Sequence, residues 1–203
     1  MPKLESMFEM SSDGNLESEN SKDDSANFLS NPYPSAILAD DFINTNISVG
    51  EVYFWEHITE PSGDFPGYNT ANFSMEDISM YNLMGGVKAA SDPSIDDTKP
   101  NGIISTGQGF GVKANVAGVA IFSNEMRRLS GNTTLRTSQN DTEKLWLSIT
   151  AHEFNRKGST LLGFSNQTSQ GLDAGFDSNR LASILSIFSE IEGSDVELGI
   201  QSR

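Results

Sequence analysis

The stretch Lys144-Leu145-Trp146-Leu147-Ser148-Ile149-Thr150-Ala151 alternates Leu145, Leu147 and Ile149 against Lys144, Trp146 and Ser148. Successive side chains of a β-strand point to opposite faces, so a period of two marks a strand with one face toward a core. This is the clearest such pattern in the chain. It predicts that Leu145, Leu147 and Ile149 lie inside. Trp146, on the opposite face, is then exposed or lies under a loop, which makes it a candidate binding ring.

Strand signals recur on both sides of this segment. Glu51 to Ile58 is aromatic and β-branched and has the length of a strand, and Ile78 to Leu83 follows, closed by Gly85-Gly86. Ile103-Ile104, Gly109 to Ala114, Val116 to Phe122, Ser159 to Ser165 and Val196 to Gln201 continue the series. Between them, Thr59 to Asn72 and Ala89 to Asn101 are too long and too rich in turn residues for hairpins and read as surface loops. Two prolines one residue apart in Asn31-Pro32-Tyr33-Pro34 fix an extended turn. Ser35 is then placed to cap one short helix, Ala36 to Ile43, with Ile37, Leu38 and Phe42 on one face. Leu181 to Ile191 fits either a helix or a doubly buried strand. The fold class expected is all-β, a β-sandwich or jelly-roll-like arrangement with one short helix near 36–43. Residues 1–27, rich in Ser, Asn, Asp and Glu, read as a flexible acidic tail or a weak first strand around Leu4–Met10. Residues 28–203 read as a single β-rich domain.

Charge and composition exclude more than they identify. The 203 residues include 28 acidic and 13 basic side chains, a formal charge of −15. Nucleic acid is bound by clustered Lys and Arg, and the densest basic spots are the pairs Arg127-Arg128 and Arg156-Lys157. No nucleic-acid partner is expected. There is no cysteine, so disulfides, thiolate metal sites and a Cys nucleophile are ruled out. No apolar run is long enough for a membrane-spanning helix, and residues 1–25 lack the apolar core of a signal peptide.

Few residues point to chemistry. Gly107-Gln108-Gly109-Phe110-Gly111 is glycine-rich, but its third glycine falls one place early for a dinucleotide fingerprint and no G-K-[ST] follows. It reads instead as a glycine-kinked strand in which missing side chains let backbones approach. His57 and His152 supply too few ligands for zinc, and their neighbours Glu56 and Glu153 point away from them on a strand. No G-x-S-x-G elbow is present, and no carboxylate pair is marked by its context. Calcium is the metal the acidic loops could take: Asp92, Asp96 and Asp97 share one loop, and Asp173 and Asp177 another. Calcium wants six to eight oxygens, and a solvated acidic turn is the simpler reading where the EF-hand pattern is absent. Tyr53, Trp55 and Trp146 are the rings singled out for stacking on a ligand, with Tyr68 and Tyr81 as further aromatics. Sequons at Asn46, Asn72, Asn132, Asn140 and Asn166 carry little weight in a chain this rich in Asn, Ser and Thr.

Asn31-Pro32-Tyr33-Pro34-Ser35-Ala36, Val52-Tyr53-Phe54-Trp55, Tyr81-Asn82-Leu83 with Gly85-Gly86, and Gly102 to Ala114 occur in that order. Phe122-Ser123-Asn124-Glu125-Met126-Arg127, Leu145-Trp146-Leu147, Gly175-Phe176-Asp177 and Ile200-Gln201-Ser202-Arg203 continue the series. The ordered set resembles a β module near the C-terminus of large secreted and surface proteins of Bacteroidetes. In those proteins such a module typically precedes the sorting domain read by type IX secretion. The resemblance implies an extracellular or cell-surface location, an adhesin-like parent and a chain truncated at its C-terminus. It brings no catalytic motif. The leading expectation is a non-catalytic module for adhesion or structural presentation, with a surface glycan or protein as partner. A carbohydrate-binding accessory domain, or part of a polysaccharide-active enzyme, is the alternative.

Overall fold

The computed structural model of the chain describes residues 6–12, 26–93, 99–129, 143–154, 156–181 and 183–203. Its strands in chain order are β1 (Ser6–Met10), β2 (Ala26–Ser30), β3 (Ala36–Leu38), β4 (Val49–Trp55), β5 (Ile78–Asn82), β6 (Gly85–Val87), β7 (Ile103–Ile104) and β8 (Gly109–Ala114). They continue with β9 (Gly118–Phe122), β10 (Arg127–Arg128), β11 (Glu143–Ala151), β12 (Arg156–Phe164), β13 (Ser178–Asn179), β14 (Ser189–Glu190) and β15 (Glu197–Ser202). One α-helix, α1 (Ala39–Thr45), follows β3. The all-β, sandwich-like expectation holds.

The layers follow from alternation along β4. This strand lies inside the sheet β2-β8-β4-β5-β6. Val52 and Phe54 point to one side, where they join Phe42 and Ile43 of α1, Ile37, Ile104, Phe110 and Phe122 in the larger core. Two small sheets, β10-β3-β7 and β1-β9, close that side. The rings of Phe42 and Phe110 meet edge to face at 5.3 Å, a favoured aromatic geometry. Tyr53 points to the other side, where Met80, Met84 and Val87 pack on Leu161 and Ile200 of a second sheet, β11-β12-β15-β13. β12 and β15 run parallel, and the other pairings of that sheet are antiparallel. The central sheet is therefore covered on both faces.

Two local expectations are corrected. The helix begins at Ala39, not Ala36, and Ser35 does not cap it. Ala36–Leu38 is instead drawn into pairing with both β7 and β10, and the Ala39 N–H donates to Gly102 O at 2.7 Å. Ladder hydrogen bonds on both edges outweigh the local helical pattern. Leu181–Ile191 is neither helix nor long strand among its described residues. It carries the two-residue β14, and Ile184 is exposed. Of the stretch Leu4–Met10, Ser6–Met10 forms β1, whose Met10 is buried, and Leu4 and Glu5 lie outside the described residues.

The turn signals fall where the sequence puts them. Asn31 is buried, and its amide donates to Ser35 O, Ile104 O and Ser105 O while its carbonyl accepts the Tyr33 N–H. That one side chain holds the Pro32–Pro34 bend against β7. Gly107 sits at φ +67°, a conformation that favours glycine. At Gly109 a Cβ would fall 2.5 Å from the tip of the exposed Phe28 ring, so the glycine leaves room for that ring on the face of β8.

Candidate binding surface

β11 departs most from its reading. Leu145, Leu147 and Ile149 are exposed at 48%, 38% and 40%, so they are not core. Nine residues pair without a break from Glu143↔Phe164 to Ala151↔Arg156. Among the described residues β11 pairs with β12 alone, which makes it an edge strand. The face turned to the body of the protein is the one that carries Trp146. Its indole Nε1 donates to Gly86 O at 3.1 Å, and the Lys99 ammonium lies 4.5 Å from the ring centroid. Trp146 thus sits at the margin of the sandwich with a cation over its ring. Trp146 is itself 37% exposed, and Ser148 and Thr150 are exposed with it, so β11 buries neither face fully and the expected exposure of Trp146 holds.

Trp55 ends β4 beyond the layers that bury the rest of that strand and is 41% exposed. The ring of Phe73 meets it edge to face at 5.2 Å, and His57 meets Phe73 at 6.0 Å. Phe73, His57 and Ile58 are exposed as well, and so is Tyr68 farther along the same loop. An aromatic shelf therefore stands where the long loop leaves and rejoins the sheet. Tyr53 is not part of it. Its ring is half-buried against the second core, and its hydroxyl donates to Glu51 Oε1 at 2.7 Å.

The loop beneath the shelf is tied down at two points. Asn72, buried, donates from its amide to Phe65 O and Asn69 O and accepts the Asn69 N–H, while its backbone pairs with Ser62. Asp77, also buried, accepts the Thr59 N–H at 3.0 Å, the Thr59 hydroxyl at 2.6 Å and the Ser91 hydroxyl at 2.6 Å. Burial works to raise the Asp77 pKa, but these hydrogen bonds favour the charged form and leave it below the ordinary value. Neither clamp is marked in the sequence beyond an Asn and an Asp flanking a loop. The sequon at Asn72 was in fact a structural amide, as was that at Asn46, whose side chain bonds Phe42 O, Ile121 O and Ile121 N.

A concavity lies where Lys88–Ala90 crosses the ends of β11 and β12. This cleft of about 200 Å³ is lined by Ser148, Thr150 and Ser159 and by Lys88 and Lys157. Lys157 Nζ also donates to Pro93 O at 2.7 Å.

Of the acidic residues considered for calcium, Asp173 and Asp177 serve the fold. Asp177 accepts the Ser202 N–H and hydroxyl on Oδ1 and the Asp173 N–H on Oδ2. Asp173 accepts the Ser169 N–H and hydroxyl. Asp92 is buried, and Asp96 and Asp97 lie outside the described residues. Among the described residues no group of three or more His, Asp or Glu side chains could hold a metal ion. His152 is exposed in the turn after β11.

Two half-buried acids went unmarked in the sequence. Burial pushes the Glu51 carboxyl up, against hydrogen bonds from Tyr53 and Ser178. Burial likewise raises Asp40, which accepts the Tyr81 hydroxyl at 2.8 Å. Lys144 reaches in from β11 near Asp40, and burial lowers its pKa against that attraction. Tyr81 is raised by burial and by the Asp40 charge, so it stays a neutral donor. This network joins α1, β5 and β11.

The fold and this surface define a sandwich-like all-β module that presents aromatic side chains on an anchored loop. Residues 5–203 match the model of a family described as a domain of unknown function (DUF8693), and the chain belongs to that family. No curated protein and no solved structure matches the chain. Among the described residues no helix is long and apolar enough to cross a membrane.

Proposed function

We propose that this domain is a non-catalytic binding module of a secreted or cell-surface protein, acting in adhesion or presentation through the shelf formed by Trp55, Phe73 and His57. The observation that carries the reading is exposed aromatic area on a loop fixed by Asn72 and Asp77. Exposed rings cost solvation unless a partner covers them, and a pre-ordered loop lowers the entropy lost on binding. Flat aromatic faces suit the apolar faces of sugar rings, so a surface glycan is the ligand class favoured. The resemblance to surface proteins of Bacteroidetes supports the location.

The test is a panel of neutral and acidic polysaccharides incubated with the domain, scored for retention and for release of reducing ends. Retention without release is expected, weakened about tenfold or more, roughly 1.4 kcal/mol, by Trp55→Ala at unchanged thermal stability. Release of reducing ends overturns the non-catalytic reading. Retention indifferent to Trp55→Ala moves the site away from the shelf, with the cleft between Lys88 and Lys157 the next place to mutate.

A further inference from the structure

From Glu51 to Val87 the chain carries six acids and no Lys or Arg, so the shelf lies in a stretch of one sign of charge. Two of the acids, Glu60 and Asp64, are exposed on the loop that bears the shelf. The antiparallel bridge between Ser62 and Asn72 brings them to the rings. It sets Pro61 across from Phe73, with Glu60 one residue away on one side and Asp64 two residues past Ser62 on the other. The Asp64 N–H donates to the Ser62 hydroxyl at 3.1 Å, which fixes that turn. The strands beside the Trp55 end of β4 bring no cation: neither β5 nor Gly109 to Val112 of β8 contains Lys or Arg. Arg156 comes up to Glu76 at 3.6 Å and is paired there. Elsewhere the fold lays its own cations over rings, Lys99 over Trp146, Arg127 over Tyr33 and Arg180 over Phe188. Trp55, Phe73 and Tyr68 receive none from the described residues.

We infer that the shelf takes a glycan bearing protonated amines, a polymer of amino sugars, in preference to a neutral or acidic one. The inference rests on the shelf being the glycan site. The face of an aromatic ring is electrically negative and attracts an ammonium, most strongly for an indole. Carboxylates alongside add to that field, and they repel uronic acids and sulfate esters. An amino sugar matches both parts of the surface: its apolar ring face suits Trp55, and its ammonium suits Glu60 and Asp64. A lysine-rich protein supplies the charge without the flat apolar face, so it matches the acids and not the rings. Both acids are exposed, so salt screens their attraction.

The probes are a glucosamine oligomer and its N-acetylated counterpart, titrated calorimetrically into the domain at mildly acidic pH, where the free sugar amines carry protons. The amine form is expected to bind about tenfold or more tightly than the acetylated form, an advantage that shrinks as salt is added. Trp55→Ala is expected to weaken both oligomers about tenfold or more. Glu60→Gln combined with Asp64→Asn is expected to leave the acetylated oligomer's affinity and the melting temperature unchanged, and to cut the preference to about threefold or less. Equal affinity for the two oligomers, lost in both with Trp55→Ala, overturns the charge preference and leaves the shelf a site for neutral glycans. A preference that survives Trp55→Ala, or polylysine binding as tightly as the amine oligomer, assigns the attraction to the overall charge of −15 and overturns the inference. Binding of neither oligomer overturns it too, and the shelf reading falls with it only if no polysaccharide of the panel is retained through Trp55.

Discussion

β4 and β11 read alike in the sequence and meet opposite fates in the fold, and each carries one of the two tryptophans. β4 has neighbours on both edges and layers on both faces, so Val52 and Phe54 vanish into one core while Tyr53 packs on the other. β11 has β12 on one edge, the margin of β6 beneath it, and an outer face in solvent. Alternation announces that a strand has two unlike faces. Which of them is buried depends on what the rest of the chain brings up to it, and that is not local information. The two tryptophans end up similarly exposed by different routes: Trp55 because β4 runs past the layers, Trp146 because it lies at the margin beside Gly86 with Lys99 over its ring.

The largest difference expected between the two strands is in stability. Phe54→Ala removes a ring that is 2% exposed and should cost about 3–5 kcal/mol in denaturant unfolding. A loss below about 1 kcal/mol would mean that the larger core does not close over β4.

A smaller effect, opposite in sign, comes from Glu51 on the other face of β4. Its folded pKa is raised above the ordinary 4.5, so ionisation opposes folding. The cost is absent below pH 4.5, grows as pH rises above it, and is complete once pH exceeds the folded value. Glu51→Gln should therefore raise the melting temperature at pH 7 and leave it little changed near pH 4. A drop at pH 7 would show that the charge-assisted bonds from Tyr53 and Ser178 outweigh desolvation. The smallest effect is on β11: Leu147→Ser in dilute protein should stay within about 0.5 kcal/mol of the parent, as for other exposed positions.

Much of the fold was legible because its signals were local. The Asn31–Pro34 bend, the strand at β4 and the irregular run from Thr59 to Asn72 each follow from residues a few positions apart. The start of α1 was misread because Ala36–Leu38 answers to β7 and β10, some 65 and 90 residues away in sequence. Of the three rings singled out, Trp55 lies on the shelf, Tyr53 is half-buried under hydrogen bonding, and Trp146 is partly covered. Phe73 and the clamps Asn72 and Asp77 carried no pattern of their own, because a loop anchor is defined by the backbone groups that it meets.

The two tryptophans permit the most direct test of recognition at the shelf. Trp146→Phe leaves Trp55 as the single indole, and Trp55→Phe leaves Trp146. Each variant is titrated with a polysaccharide that the parent domain retains, and its emission is followed. The shelf predicts a saturable change for the Trp55 protein and none for the Trp146 protein. A change confined to Trp146 would place the ligand at the margin between β6 and β11 and contradict recognition through Trp55.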